Sequence, residues 1–428
     1  MFRKKRVARI EQDHLLARRL FFTLVAIVFY QLLTFIPIPG VNSSVLQQLD
    51  SNNGLFIISM FSGGNYTNYS ILTMGLTSFV TAQIIVQLLQ ANLSKKVTSW
   101  SKSGRTGRHK INQLTRLLTI VFSVFQGTAI TYGINELSNQ TFLIIDSIWM
   151  YIWIVLLLTT GTFFATWLGD RITEKGLGNG IAVLIGINII SQTIYQTSWK
   201  SVLEIKNSNY LPYFVLFLIL FIFIIIWFNE SELRLPVMYA RRNNSAGKLS
   251  YMPIKIITAN VMPIIFASTF MAIPQIILMF WQREWYQPWF WVISTLFSWQ
   301  TSYGIFNYSF LIVLFTYFYS TIQIDPEKVA DNFRKQEAFI PGVNPGQDTE
   351  EYLCFLINRL ALPDSIFLLM ISVVPMILFK GTGIQQLGIS GSSLLIILGI
   401  LTEVIRQAKG LRTKKDFPTF LSTYYTFS

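Results

Sequence analysis

Cysteine occurs once in this chain, at Cys354, and histidine only twice, at His14 and His109. A single thiol excludes a disulfide-stapled secreted scaffold. The three residues together are too few and too scattered for zinc, which needs three or four clustered N or S ligands. No metal and no other cofactor is expected. Charge is scarce as well: Asp, Glu, Lys and Arg make up 13% of the 428 residues, against roughly a quarter in a soluble domain. With 52% hydrophobic and 15% aromatic residues, too little polar side chain remains to coat a soluble globule, and the same hydrophobicity excludes disorder. No nucleophile and base stand at a catalytic spacing, and neither histidine falls in an apolar run, so enzymatic activity is not expected.

Long apolar runs are what the chain does have. A hydrocarbon core of ~30 Å takes about 20 apolar residues of helix. Runs of about that length are Leu20–Ile36, Ile71–Asn92, Leu117–Asn135, Ser147–Gly169, Ile181–Trp199, Leu211–Asn229, Ile256–Gln282 and Ser302–Ile324. Two weaker ones follow, Ser365–Phe379 and Ser392–Ala408, parted by the turn-rich stretch Gly381–Gly391. The pattern predicts an all-α polytopic membrane protein with ten transmembrane helices. The basic residues test the count independently, because Lys and Arg resist translocation. With the N-terminus inside and ten crossings, 30 of the 34 Lys and Arg fall on the cytoplasmic side, leaving Lys200, Lys206, Arg283 and Lys380 outside. Both termini are therefore expected in the cytoplasm, and the net charge of +13 is accounted for without nucleic acid. The first run is too long for a signal peptide and lacks a small-residue cleavage site. Its end, Phe35-Ile36-Pro37-Ile38-Pro39-Gly40, reads as a helix stop and turn.

Three further stretches depart from a simple bundle. Leu55–Phe61 is apolar but far too short to cross, and between the first two runs it reads as a re-entrant or plug-like element. The cytoplasmic stretch Asp325–Pro363 holds the turns Pro341-Gly342 and Pro345-Gly346, and loops of this length are usually functional. Trp289–Trp299 is short and Trp-rich, and is expected to lie at the outer interface. Gly176-Leu177-Gly178-Asn179-Gly180 lacks the spacing and the strand context of a dinucleotide loop, and is expected to be a tight cytoplasmic turn. The sequons at Asn65, Asn68 and Asn139 carry no weight, since such tripeptides arise by chance. The basic run Lys95, Lys96, Lys102, Arg105, Arg108 and Lys110 is what positive-inside bias alone produces. Within the runs charge is nearly absent. Glu403 is the clearest case, one turn from Arg406, and is expected to be paired or snorkelling.

Read in order, several stretches resemble the SecY family, the central subunits of the Sec protein-conducting channel. They are Phe35–Gly40, Met60-Phe61-Ser62-Gly63-Gly64, Ile84–Leu89, Gly107–Gln113, Ile172–Ile181, Leu235–Arg242, Asp325–Asn332 and Phe339-Ile340-Pro341-Gly342. The resemblance implies two inverted five-helix halves around a central pore, 1–199 with a plug at about 52–69, and 200–428 with cytoplasmic loops 230–255 and 325–363, hinged near Thr197–Tyr210. It implies a pore constriction at Leu76, Val80, Ile181, Ile185, Ile265 and Ile396. An aliphatic ring of this kind sheds water and so blocks ions. It implies a plug from Leu55, Phe56, Ile57, Ile58, Met60 and Phe61, and a lateral gate toward lipid with Gln87 and Asn260. It implies a driver docking on Arg234, Arg241, Arg242, Arg334, Lys335 and Asn344.

The partners implied are SecE-like and SecG-like small membrane subunits, a SecA-type ATPase or a ribosome, unfolded secretory polypeptides, and membrane lipid. The location implied is the bacterial cell membrane, with the plastid thylakoid as alternative. Asn344 stands where the family typically has an arginine associated with driver coupling. Ile257 takes the place of an asparagine early in the seventh span, with Asn260 about one turn on, and Leu76-Thr77-Ser78 replaces a Pro-containing stretch. These departures point to a divergent member, either an accessory translocase with few substrates or an organelle-encoded one. A secondary transporter with inverted repeats is the alternative function. It would need a midplane ion site, against which the scarcity of charge in the runs speaks.

The ten-span topology makes a direct prediction. A membrane-impermeant thiol reagent applied to intact cells should leave Cys354, and new cysteines near Lys102 and Asn244, unlabelled until lysis, and should label cysteines near Asn68 or Trp285 at once. Labelling of the first group in intact cells contradicts the topology.

Overall fold

The computed structural model describes residues 2–42, 69–90, 94–138, 141–145, 147–196, 211–239, 250–259, 261–278, 280, 287–298, 301–323, 325–378 and 391–413. Its helices are α1 (Phe2–Thr34), α2 (Thr77–Leu88), α3 (Lys95–Lys102), α4 (Gly104–Leu137), α5 (Ile148–Lys175), α6 (Gly180–Gln196) and α7 (Leu211–Glu230). They continue with α8 (Met262–Leu278), α9 (Pro288–Phe297), α10 (Ser302–Gln323), α11 (Pro326–Lys335), α12 (Gln347–Leu378) and α13 (Gly391–Thr413). The strands are β1 (Glu232–Tyr239), β2 (Ser250–Lys255) and β3 (Ala338–Phe339). Each of the ten apolar runs overlaps a helix, as expected where no water can bond an exposed amide. Among the described residues α1, α4, α5, α10 and α12 are long and apolar enough to cross a bilayer, and α2, α6, α7 and α8 contain shorter apolar helical stretches.

Several boundaries differ from the sequence expectation. Residues 71–76 form turns in place of the first helical turns of the second run, and α8 begins at Met262, after a strand and a bend. The stretch 325–363 is only in part a loop, because α12 starts at Gln347 and continues unbroken through Pro363 and Pro375 to Leu378. Trp289–Trp299 falls largely in the helix α9, which has no buried residue.

The chain divides into two compact units. One comprises residues 1–79, 119–192 and 397–428. Within it α1 packs on α5, with Phe29 edge-on to Phe164 at 5.9 Å, and Asn188 of α6 donates to the Tyr30 hydroxyl at 2.8 Å. The turn segment before α2 is wholly enclosed: Tyr69, Leu72, Met74 and Leu76 are all buried. Its amides close short turns (Thr73 N to Ser70 O, Gly75 N to Leu72 O, Thr77 N to Met74 O), so buried non-helical backbone is still paired. Tyr69 bonds Thr131 through its hydroxyl at 2.8 Å and meets Phe142 edge-on. The fit is close, for a Cβ added at Gly161 would lie 2.0 Å from the Ile71 carbonyl oxygen.

The other unit comprises residues 80–118 and 193–396. Its membrane part packs α10 against both α8 and α12, with Phe266 edge-on to Phe315 and to Tyr319. Its polar part is a three-stranded antiparallel sheet in the order β2-β1-β3, which the sequence reading did not anticipate. Leu235 and Val237 of β1 point inward while Arg234, Pro236 and Met238 are exposed, the two-residue alternation of a half-buried strand. The inner face closes a small core of Leu235, Ile254, Ile340 and Leu353, flanked by Val329, Phe333 and Tyr352. Strands from two distant stretches are thereby fixed to the first turns of α12.

Leu353 is fully buried at the centre of this core, so Leu353→Ala should cost about 2–5 kcal/mol of local stability. Limited proteolysis of the purified protein should then cut within 232–255 and 325–346 much faster than in the wild type. An unchanged digest means that the sheet does not depend on this packing.

Candidate functional site

The residues expected at the constriction sit on four helices and one turn. Leu76 ends the enclosed turn segment and Val80 follows on α2. Ile181 and Ile185 are on α6, Ile265 is on α8 and Ile396 on α13. All are buried except Ile181, which is half-buried. Ile181 and Ile185 lie four residues apart and share one face of α6. Leu76, Ile181 and Ile185 belong to the first unit, and Val80, Ile265 and Ile396 to the second. Burial suits a closed aliphatic ring and ordinary packing alike.

How α6 is positioned is visible in detail. The glycine-rich stretch before it is the tight turn expected from sequence, and its backbone amides are held by side chains from three helices. Leu177 N donates to Thr23 Oγ1 of α1 at 3.1 Å. Gly178 N donates to Gln407 Oε1 of α13 at 2.8 Å. Gly180 N donates to Thr173 Oγ1 of α5 at 2.8 Å, and Ile181 N bonds Asn179 Oδ1 at 3.2 Å. The glycines are required by space and conformation. Gly178 has φ +83°, and a Cβ on Gly180 would fall 2.0 Å from the Gly169 carbonyl oxygen. The N-terminal turn of a helix leaves amides unpaired, and here borrowed oxygens supply the partners. Thr23, Thr173 and Gln407 were not singled out from sequence.

Gln87, expected at the gate, is half-buried on α2, with its Oε1 enclosed and without a hydrogen-bond partner among the described residues. Asn260, also expected at the gate, lies outside the described residues, as do Leu55, Phe56, Ile57, Ile58, Met60 and Phe61, expected to form the plug.

The residues expected to dock a driver, where described, all belong to the sheet and its surroundings. Arg234 is exposed on β1, its guanidinium 5.1 Å from the centre of the Tyr251 ring on β2, an arrangement that holds a cation at an aromatic face. Arg334 and Lys335 are exposed in the last turn of α11, where positive charge also complements the helix dipole. Asp325 caps the other end of α11 by accepting from Lys328 N. Asn344 is exposed between the two Pro-Gly turns and donates to Asp348 Oδ2 at 2.8 Å. Gly342 and Gly346 have φ +85° and +114°, conformations that glycine adopts without strain. Arg241 and Arg242 lie outside the described residues. One charged group escaped the sequence reading: Asp364, a single residue ahead of the ninth apolar run, is buried within α12.

Comparison with known proteins now gives this architecture a family. The SecY family model matches residues 70–405. The protein translocase subunit SecY 2 of Lactobacillus kefiranofaciens is 46% identical over 405 residues, covering 94% of this chain and 99% of that protein. SecY 1 of the same organism is 36% identical, covering 96% of this chain and 98% of that protein. Among solved structures, one of a protein-conducting channel shares the fold with a TM-score of 0.68 at 16% identity, over 95% of this chain and 94% of that one. With the family model spanning most of the sequence and both relatives matched end to end, the chain belongs to the SecY family.

Proposed function

We propose that the chain is the channel subunit of a protein translocase, which passes unfolded polypeptides across the membrane or releases their transmembrane segments into it while a partner supplies the energy. The observation that carries this is end-to-end identity to translocase subunits. The secondary-transporter alternative has no comparable support. Bacterial relatives support the bacterial cell membrane as its location, and the bias of Lys and Arg supports cytoplasmic termini.

In this reading Leu76, Val80, Ile181, Ile185, Ile265 and Ile396 close the resting pore between the halves 1–199 and 200–428. Leu55–Phe61 plugs it from outside, and Gln87 and Asn260 line the way to lipid. SecE-like and SecG-like subunits complete the channel. A SecA-type ATPase or a ribosome docks on Arg234, Arg241, Arg242, Arg334, Lys335 and Asn344. Support for the docking assignment comes from the sheet, which presents Arg234, Arg334 and Lys335 in the open on one folded platform.

A dewetted ring should fail when made polar. An asparagine in the narrows stabilises water there and leaves the closed ring enclosing an imperfectly paired amide. Ile396→Asn or Ile185→Asn should therefore raise resting ion conductance in planar bilayers and admit substrates with defective signal sequences. An asparagine at a lipid-facing position of the same helix should create no leak. Wild-type conductance from well-expressed ring variants would remove these residues from the constriction.

Charge at the platform gives a second test. Reversing Arg234, Arg241 and Arg242, or Arg334 and Lys335, should weaken driver binding by about tenfold at low salt. The deficit should shrink as ionic strength rises and the Debye length falls below ~8 Å. Equal affinity in both sets of variants would leave these charges with a role in topology alone.

A further inference from the structure

We propose that Asp364 is a positioning residue for channel opening, its carboxylate tying the approach to α8 onto α12 so that the cytoplasmic sheet and α8 move together. The proposal rests on the translocase reading above, and it assigns a role to a residue which that reading leaves unused.

The approach is residues 256–259, which join β2 to α8 without helical structure. Ile257, Thr258 and Ala259 are all at most 4% exposed, and irregular backbone enclosed this fully must find partners within the protein. Ile256 N reaches the Ser231 carbonyl at 3.1 Å, and Thr258 N closes a tight turn on Ile256 O at 3.1 Å. Ala259 N has no such local acceptor and donates instead to Asp364 Oδ2 at 2.9 Å. The Thr258 hydroxyl approaches the same oxygen at 3.3 Å. The other oxygen, Oδ1, is enclosed without a hydrogen-bond partner among the described residues. Among the described residues it is therefore the contact to 258–259 that holds this side chain.

The surroundings make the contact mechanical. Pro363 immediately precedes Asp364 inside α12, and a proline within a helix removes one backbone bond and creates a place to bend. On the cytoplasmic side of that proline α12 carries Leu353, which grips the sheet. Directly beyond it Asp364 grips the segment leading to α8. That segment begins where β2 ends, so the sheet reaches α8 by two routes, through the chain itself and through α12 and its carboxylate. A partner that tilts the sheet bends α12 at Pro363, and Asp364 passes the displacement to the end of α8 nearest Ile265.

The test compares Asp364→Ala, which removes the acceptor, with Asp364→Asn, which keeps one. One readout is independent of translocation. Spin labels on Phe270→Cys and Met370→Cys, both exposed sites on α8 and α12, are placed in a Cys354→Ser background and their separation is measured by pulsed electron resonance. The second readout is made in proteoliposomes with a SecA-type ATPase and an unfolded polypeptide bearing a signal sequence, as polypeptide moved per ATP hydrolysed. Asp364→Ala should broaden or shift the label distance and lower that yield roughly tenfold, within the range usual for coupled sites, with ATPase affinity changed by no more than about twofold. Asp364→Asn should behave as the wild type in both. An unchanged label distance in Asp364→Ala overturns the proposal. So does a parallel loss of affinity and yield that asparagine fails to rescue, since the residue would then serve folding alone. Absence of translocation by the wild type would count against the translocase reading, while the label distances would still decide the role of Asp364.

Discussion

Every backbone amide and carbonyl that leaves water must find its partner inside the protein, and the rest of this structure follows from that constraint. Helix formation meets it locally along most of the chain. The instructive places are those where the chain leaves the helix while still largely enclosed: residues 71–76, 176–179 and 256–259. The first closes its own short turns, the second borrows oxygens from Thr23, Thr173 and Gln407, and the third uses Asp364. Each of these stretches leads into a helix that carries a candidate pore residue, α2, α6 and α8 in turn. The irregular backbone thus sets where those helices begin, and so where their side chains can be.

Polar side chains within the helices are mostly spent locally. Thr159, Thr160 and Thr162 return their hydroxyls to carbonyls one turn back on α5, which leaves their methyl groups for contact with neighbours. Bonds between elements are fewer and better enclosed, as at Asn188 with Tyr30, Tyr69 with Thr131, and Ser78 with Gln126. Such bonds are worth only about 0.6 kcal/mol on average in a membrane. Their contribution here is to orientation more than to stability.

The helices were legible in the sequence because length and apolarity are local properties, and the bias of Lys and Arg requires only counting. The sheet was not, because β3 has two residues and its pairing joins Met238 to Phe339 across a hundred positions. Nor were Thr23, Gln407 and Asp364, whose partners lie 154, 229 and 105 residues away. A threonine, a glutamine or an aspartate near the end of an apolar run carries no sign of which amide it will meet. The tight turn at 176–180 was readable because its glycines are consecutive with it. The six candidate constriction residues came from resemblance, since an isoleucine that faces a pore and one that faces a neighbour are identical in composition and period.

The unbroken length of α12 has a consequence for electrostatics at the membrane. Thirty-two residues rise about 48 Å, whereas the hydrocarbon core is ~30 Å and the headgroups add only about 5–8 Å on each side. A helix standing upright with one end at the outer hydrocarbon boundary therefore carries its first residue about 10 Å past the headgroups, but Leu353, on which the sheet core closes, lies about 9 Å lower, at the headgroup edge. At that level an exposed cation still lies within the ~8 Å Debye length over which the negative potential of an anionic leaflet decays at physiological salt. An anionic leaflet would then compete for Arg234, Arg334 and Lys335, exposed around that core, with whatever arrives from the aqueous side.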